Sequence, residues 1–181
     1  MPKPLDLAMH TVEIYIRSSE WRDRLDSLLR LQKAAYRIES QLIRYPTLPP
    51  LFETTQDLID SDERFLICRN ADIAPLDHKT NDDVDGDVSI VGVLSFEPTA
   101  HGFHIDRLVV EPKHFGNGIA GHLLAAIEAI ALRERQPQLS VSTAALNQPA
   151  VRLYQKAGYR KVSQRTLPDG LVLVRFEKLL T

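Results

Sequence analysis

The sequence has a single cysteine, no long apolar run and no excess of either charge, and each shortage closes off a class of protein. With Cys68 alone, no intrachain disulfide framework exists. Cys68 ends the apolar run Arg64-Phe65-Leu66-Ile67-Cys68, where a buried small side chain in a strand is expected rather than a catalytic thiol. Six histidines beside one cysteine offer no paired metal spacing, so no zinc site is expected. No stretch of ~18 apolar residues is present, so no transmembrane helix is expected. No apolar h-region follows Met1-Pro2-Lys3-Pro4, so no secretory leader is expected and the expected compartment is the cytoplasm. Lys and Arg number 22 against 24 Asp and Glu, a net charge of -2, which gives no support for a basic nucleic-acid-binding face. What is present is 181 residues, 44% apolar and 25% charged, enough for one domain with a sizeable core.

Periodicity divides the chain into elements. Thr11 to Arg17 alternates, with Val12, Ile14 and Ile16 on one side, and reads as a strand. Leu25, Leu28, Leu31, Ala35, Ile38 and Leu42 recur at helical spacing. They predict a long helix capped by Ser18 or Ser19 and ended by Pro46, Pro49 and Pro50. Thr54 or Thr55 is expected to cap a short helix through Ile59. Arg64 to Asn70, Ser89 to Glu97 and Phe103 to Val110 read as a three-stranded meander, with His101-Gly102 in its last turn. Residues 1–10 are expected to be a flexible arm and 71–87 an acidic loop. Asn81-x-Asp83-x-Asp85-Gly86 resembles a calcium loop, but the bidentate glutamate such a loop needs would fall on Gly92. A hairpin turn and a solvated loop are expected there instead.

The second half has another rhythm. Gly118 to Arg135 reads as a helix with Ile119, Leu123, Ile127 and Ile130 on one face, and Leu139 to Leu146 as a strand. Gln148 to Ala157 reads as a helix opened by Pro149 and stopped by Gly158. Val162 to Thr166 and Leu171 to Leu179 form a hairpin across Pro168-Asp169-Gly170. Strand-helix-strand-helix implies parallel pairing around a crossover. The expected fold class is α/β, one mixed sheet over residues 1–181 with helices on both faces.

The chemistry concentrates in Leu108-Val109-Val110-Glu111-Pro112-Lys113-His114-Phe115-Gly116-Asn117-Gly118-Ile119-Ala120. A strand ends, a turn carries two glycines and a helix opens. Free backbone N–H groups and the positive end of a helix dipole then meet at one point, an arrangement suited to a phosphate or pyrophosphate. No Gly-Lys-Ser/Thr follows, so this is not a Walker A loop. The three glycines of a dinucleotide fingerprint are missing too. A glycine pair before a helix is, on its own, often only a turn.

A second block, Asn147-Gln148-Pro149-Ala150-Val151-Arg152-Leu153-Tyr154-Gln155-Lys156-Ala157-Gly158-Tyr159, decides between these readings. Together the two blocks resemble the GNAT superfamily of acyl-CoA-dependent N-acetyltransferases. The L-x-V-x-P signature falls on Leu108, Val110 and Pro112, and the glycine loop on Phe115, Gly118 and Ala120. The signature N-x-x-A-x-x-L-Y-x-K-x-G-F/Y is matched throughout, by Asn147, Ala150, Leu153, Tyr154, Lys156, Gly158 and Tyr159. One position departs: the loop's usual Gln or Arg is Phe115.

The resemblance implies a mostly antiparallel sheet in which two central parallel strands splay apart around the pantetheine arm of acetyl-CoA. It implies that Leu108, Val109 and Val110 pair with that arm and that the Val110 N–H faces the thioester oxygen. Phe115, Gly116, Asn117, Gly118, Ile119, Ala120 and Gly121 would hold the pyrophosphate, and Asn147 would contact the arm or orient the loop. Tyr154 would be the general acid that protonates the leaving thiolate. His104 stands where several members carry a catalytic carboxylate and would be the base, with Asp106 and Glu97 as rivals. Tyr36, Glu39, Arg44 and Glu53 are candidates for the acceptor pocket. The implied reaction is acetyl transfer from acetyl-CoA to the primary amine of a small molecule. A lysine or N-terminal amine of a protein, or a non-catalytic acyl-CoA sensor, are the alternatives. Members of the family are often homodimers, but no motif here specifies one.

Overall fold

Phe65, Leu66, Ile67 and Cys68 are buried together, which makes Arg64–Asn70 an inner strand, covered on both faces, rather than an edge. The computed structural model describes residues 10–15, 24–70 and 90–180. The first nine residues, Ser18, Ser19 and the acidic loop with its calcium-like motif lie outside the described residues.

Among the described residues one sheet has seven strands. β1 (His10–Tyr15), β2 (Arg64–Asn70), β3 (Ile90–Thr99) and β4 (Gly102–Val110) form an antiparallel run in chain order. β5 (Gln138–Ala144) lies parallel to β4. β7 (Val172–Leu179) pairs antiparallel with β5, and β6 (Arg160–Thr166) forms the outer edge against β7. The order is therefore β1-β2-β3-β4-β5-β7-β6. Parallel pairing is confined to β4 and β5, because β7 inserts between β5 and β6.

Helices cover both faces. α1 (Leu25–Ile43) and α2 (Thr55–Asp60) bury Leu25, Leu28, Leu31, Ala35 and Leu58 against Phe65, Ile67, Val93 and Val109. α3 (Ile119–Arg133) and α4 (Gln148–Lys156) pack on the other face. There Ile119, Leu123, Ile127 and Tyr154 meet Leu94, Phe96, Phe103, Ile105, Val141 and Phe176.

Three local readings are corrected. α1 starts at Leu25 behind Arg24 with no side-chain cap, and it ends before the prolines. Arg44 takes a left-handed conformation (φ 55°), so that its N–H and that of Tyr45 close the last turn on Gln41 and Ser40 carbonyls. Pro49–Leu51 then makes a short 3-10 turn where only a loop was expected. Thr54 caps α2 as expected: its hydroxyl accepts from Asp57 N–H while the Asp57 carboxylate accepts from Thr54 N–H. Ile38 and Leu42 belong to the helical apolar stripe, yet they are 41% and 47% exposed. The sheet does not cover them because they overhang the cleft described next.

Candidate active site

β4 contains a bulge. Ser95 pairs with Arg107 and Phe96 with Ile105, which leaves Asp106 without a partner on β3. The extra residue switches the strand's alternation. Phe103 and Ile105 face the α3 side, but beyond the bulge Leu108 and Val110 face it and Val109 turns to α1. The bulge also sets which backbone groups are free. Glu111 N–H bonds Val91 O, so by antiparallel alternation Val109 and Arg107 bond β3. The N–H and C=O groups of Leu108 and Val110 point the other way, toward β5.

β5 does not follow them. The parallel register covers Phe103 to Ile105 against Leu139 to Val141 and stops there. Gly102 holds the closed end. Its φ is +140°, and a Cβ there would lie 2.1 Å from the Gln138 carbonyl oxygen. Past Val141 the strands part, and a cleft of about 490 Å³ opens between Leu108–Val110, the 114–121 loop, α4 and the exposed side of α1.

One end of the cleft is the start of α3. Gly118 is in the left-handed region (φ 78°) and no side chain caps the helix. The first helical bond runs from His122 N–H to Gly118 O, so the N–H groups of Ile119, Ala120 and Gly121 have no helical acceptor. Gly116 (φ 80°) and Gly121 have open space where a Cβ would stand. These unfilled donors and this backbone-lined hollow fit a pyrophosphate. Phe115 is 49% exposed on the loop and, with Ile38 and Leu42 across the gap, makes that rim apolar. Asn117 is exposed in the same loop, its N–H bonded to His114 O.

At the inner end sit Tyr154, Asn147 and Glu39. Tyr154 is 5% exposed, its ring 5.7 Å from Tyr159 and 6.0 Å from Phe176. Burial, then the charge of Glu39, pushes its phenol above the ordinary tyrosine range, so it holds its proton at neutral pH. The Asn147 carbonyl oxygen caps α4 by accepting from Ala150 N–H at 3.2 Å, and its side chain also bonds Glu39. With the oxygen committed to the cap, the amide N–H is the group left for Glu39. Burial raises the Glu39 carboxyl, and the Asn147 bond opposes the rise.

The expected cofactor residues Leu108 to Val110, Phe115 to Gly121, Asn147 and Tyr154 therefore lie around one cleft or in its loop. His104 does not. It sits at the closed end of β4 with Nδ1 2.9 Å from Ser140 Oγ, and burial, then Arg175, lowers its pKa. Glu97 is its cross-strand partner on β3. Asp106, at the bulge, is a solvent-exposed residue whose carboxyl is nevertheless pushed up to about 7, by partial desolvation against the strand and then by Glu63 and Glu97.

Sequence reasoning missed a buried polar network beside the cleft. Arg107 donates to Ser95 Oγ at 2.9 Å, Gln32 Oε1 at 2.7 Å, Glu53 Oε2 at 2.8 Å and Glu63 Oε1 at 2.6 Å. Gln32 in turn donates to the Pro50 carbonyl and to Glu53. The signal was available: two adjacent charges, Asp106-Arg107, interrupt an otherwise alternating strand, as a bulge does. Arg44 of the proposed acceptor set closes α1 through its backbone. Tyr36, on α1, packs against the core beneath that helix, and burial, then Glu39, raises its phenol.

Among the described residues no group of three His, Cys, Asp or Glu could hold a metal ion, and no helix is long and apolar enough to cross a membrane. Residues 84–180 match a family described as an acetyltransferase (GNAT) domain. The UPF0157 protein YqkA of Bacillus subtilis (strain 168) is 33% identical over 149 residues, 82% of this chain. The chain spans 38% of the length of that curated relative. A spermidine N-acetyltransferase from Vibrio cholerae, solved with CoA and spermine, superposes with a TM-score of 0.66 at 16% identity, over 95% of this chain and 96% of that one. The ribosomal-protein-S18-alanine N-acetyltransferase from Escherichia coli also superposes at 0.66, with 12% identity over 96% and 95%.

Proposed function

Because this chain belongs to the GNAT acetyltransferases, an acyltransferase family, we propose that it moves an acetyl group from acetyl-CoA to the primary amine of a small molecule, by direct attack of the amine on the thioester. The observation that carries this reading is the cleft, with free helix-start N–H groups at one end and a protonated tyrosine at the other.

Acetyl-CoA supplies the activated acyl group, and the chain's residues do the rest. The N–H groups of Ile119, Ala120 and Gly121 neutralise the pyrophosphate, and Gly116 and Gly118 let the backbone approach it. Phe115 adds no charge there, so backbone amides and the helix dipole carry the binding. The unpaired edge of Leu108 and Val110 extends the sheet onto the pantetheine amides, as an added strand would. An N–H of that edge, Val110 in our assignment, faces the thioester oxygen and stabilises its growing negative charge by a few kcal/mol. Tyr154 donates its phenolic proton toward the departing sulfur.

The names of the similar structures point to amine acceptors of different sizes, spermidine in one and an alanine of a ribosomal protein in the other. We favour a small acceptor. We place the reaction in the cytoplasm.

Titration calorimetry with acetyl-CoA, followed by an amine screen, tests the proposal. Micromolar binding and turnover on a small amine are expected. Tyr154→Phe is expected to keep the binding and lose ~100-fold or more in kcat. Tight binding with no turnover on any amine would leave a sensor. Turnover confined to peptides would move the acceptor to proteins.

A further inference from the structure

Glu39 lies in the cleft without a cation. It projects from α1 into the same space as Tyr154, half-buried, and its one hydrogen-bond donor is neutral Asn147. Among the described residues no ion pair satisfies it. A half-buried carboxylate of this kind is stabilised by any cation that reaches it, and an alkylammonium acceptor arrives as one. The facing groups are few. Tyr36 stands on the same helix, Tyr154 on α4 across the cleft, and both phenols feel the Glu39 charge. Arg107 of β4 and Glu53 act on Tyr36. His114 lines the cleft from the loop.

Resting on the acetyl-transfer reading above, we propose that Glu39 is the catalytic base: it draws the acceptor's ammonium into the cleft opposite Tyr154 and takes its proton. This assigns the base to α1 instead of to His104, Asp106 or Glu97 on the sheet. The Glu39 carboxylate takes one proton from R–NH3+, leaving R–NH2. The nitrogen lone pair forms the new N–C bond while the C–S bond breaks, and the Tyr154 phenol gives its proton to sulfur. The nitrogen sheds its second proton, which reprotonates Tyr154. The proton on Glu39 passes to water, so the net release is one proton per turnover.

The test is the pH profile of kcat/KM for wild type and Glu39→Gln, with an alkylamine and with an aromatic amine that is neutral at pH 7. With the alkylamine, Glu39→Gln is expected to lose about 100-fold or more at pH 7. That deficit should shrink about tenfold per pH unit upward, because the variant can use only the free amine. With the aromatic amine its loss should stay under about tenfold. Glu39→Asp should recover part of the alkylamine rate, and calorimetry should give both variants a wild-type affinity for CoA. Alkylamine activity within threefold of wild type in Glu39→Gln overturns the assignment. So does an equal loss on both amines with an unchanged pH profile, which would make Glu39 structural. A wild type that turns over no amine at all would instead defeat the transferase reading itself.

Discussion

Removing Arg107 probes the buried network that ties α1, the 49–63 segment and β3 to the bulge of β4. Arg107→Met keeps most of the volume and the packing on Phe65, over which the guanidinium lies at 5.7 Å. It strands two carboxylates, Glu53 and Glu63, whose side chains are 25% and 14% exposed. It also leaves fully buried Gln32 and Ser95 without their partner. Breaking a buried ion pair on one side costs about 3–5 kcal/mol. Both carboxylates here retain some access to water, so the low end applies, about 3 kcal/mol. For a domain of this size that corresponds to a fall in Tm of ~6–12 °C. A thermal melt followed by circular dichroism reads it. Because the loss comes from orphaned charge, the triple change Arg107→Met, Glu53→Gln, Glu63→Gln should recover at least half of it. A single variant melting within about 2 °C of wild type would refute the claim that the network matters. A triple variant melting no higher than the single one would show that packing, not charge, was lost.

Three further expectations concern the bulge, the glycine beneath α3 and the loop. Asp106, held near 7 against an ordinary value of 3.8, binds a proton more readily folded than unfolded. The fold therefore meets no penalty there below about pH 4 and a growing one as pH rises through 7. Asp106→Asn should raise Tm at pH 8 and leave it unchanged at pH 4; equal gains at both would contradict this. A Cβ on Gly92 would lie 2.6 Å from Ile119 Cγ2 and 3.1 Å from Leu123 Cδ1. Gly92→Ala should thus lift the start of α3, costing ~1–3 kcal/mol in a denaturant melt and weakening CoA binding, and unchanged CoA affinity would argue against it. Phe115→Arg places a cation beside the pyrophosphate site, and should tighten CoA binding about three- to tenfold at low salt, with a steeper salt dependence. Salt-insensitive affinity would show that residue 115 faces away from the phosphates.

The order of elements was legible because each carries its own period. The continuous apolar runs of β2 and β3, the helical spacing of α1 and α3, and Pro149 and Gly158 around α4 are all local signals. The cleft was legible for a related reason: its parts are backbone groups placed by glycines and by a strand end, and the motif spells these out. The base we propose was not. His104 stands where several members of the family carry a catalytic carboxylate, but the three-pair register with β5 puts it at the closed end of the strands. Glu39 reads from the sequence as a candidate for the acceptor pocket, a carboxylate suited to a cationic amine, and not as the base. It becomes a cleft residue only because β4 and β5 part beneath it, a fact no local pattern carries. Ile38 and Leu42 tell the same story, since helical periodicity alone would have buried them. Arg107 was hidden because its partners, Gln32, Glu53, Glu63 and Ser95, are spread over more than sixty residues of chain.

The two parts of the sheet touch along only three residue pairs of β4 and β5. Strands β1 to β4 with α1 and α2 belong to one wing, and β5 to β7 with α4 belong to the other. α3 is the strut between them, since its apolar face meets residues of both. A molecule lying along Leu108 and Val110 while touching α4 would lengthen the short seam by its own amides. Binding and cohesion of the wings are then one equilibrium. The free chain should exchange amide hydrogens in β5 faster than the CoA-bound chain does, and added ligand at a hundred times its Kd should stabilise the fold by about 2.7 kcal/mol.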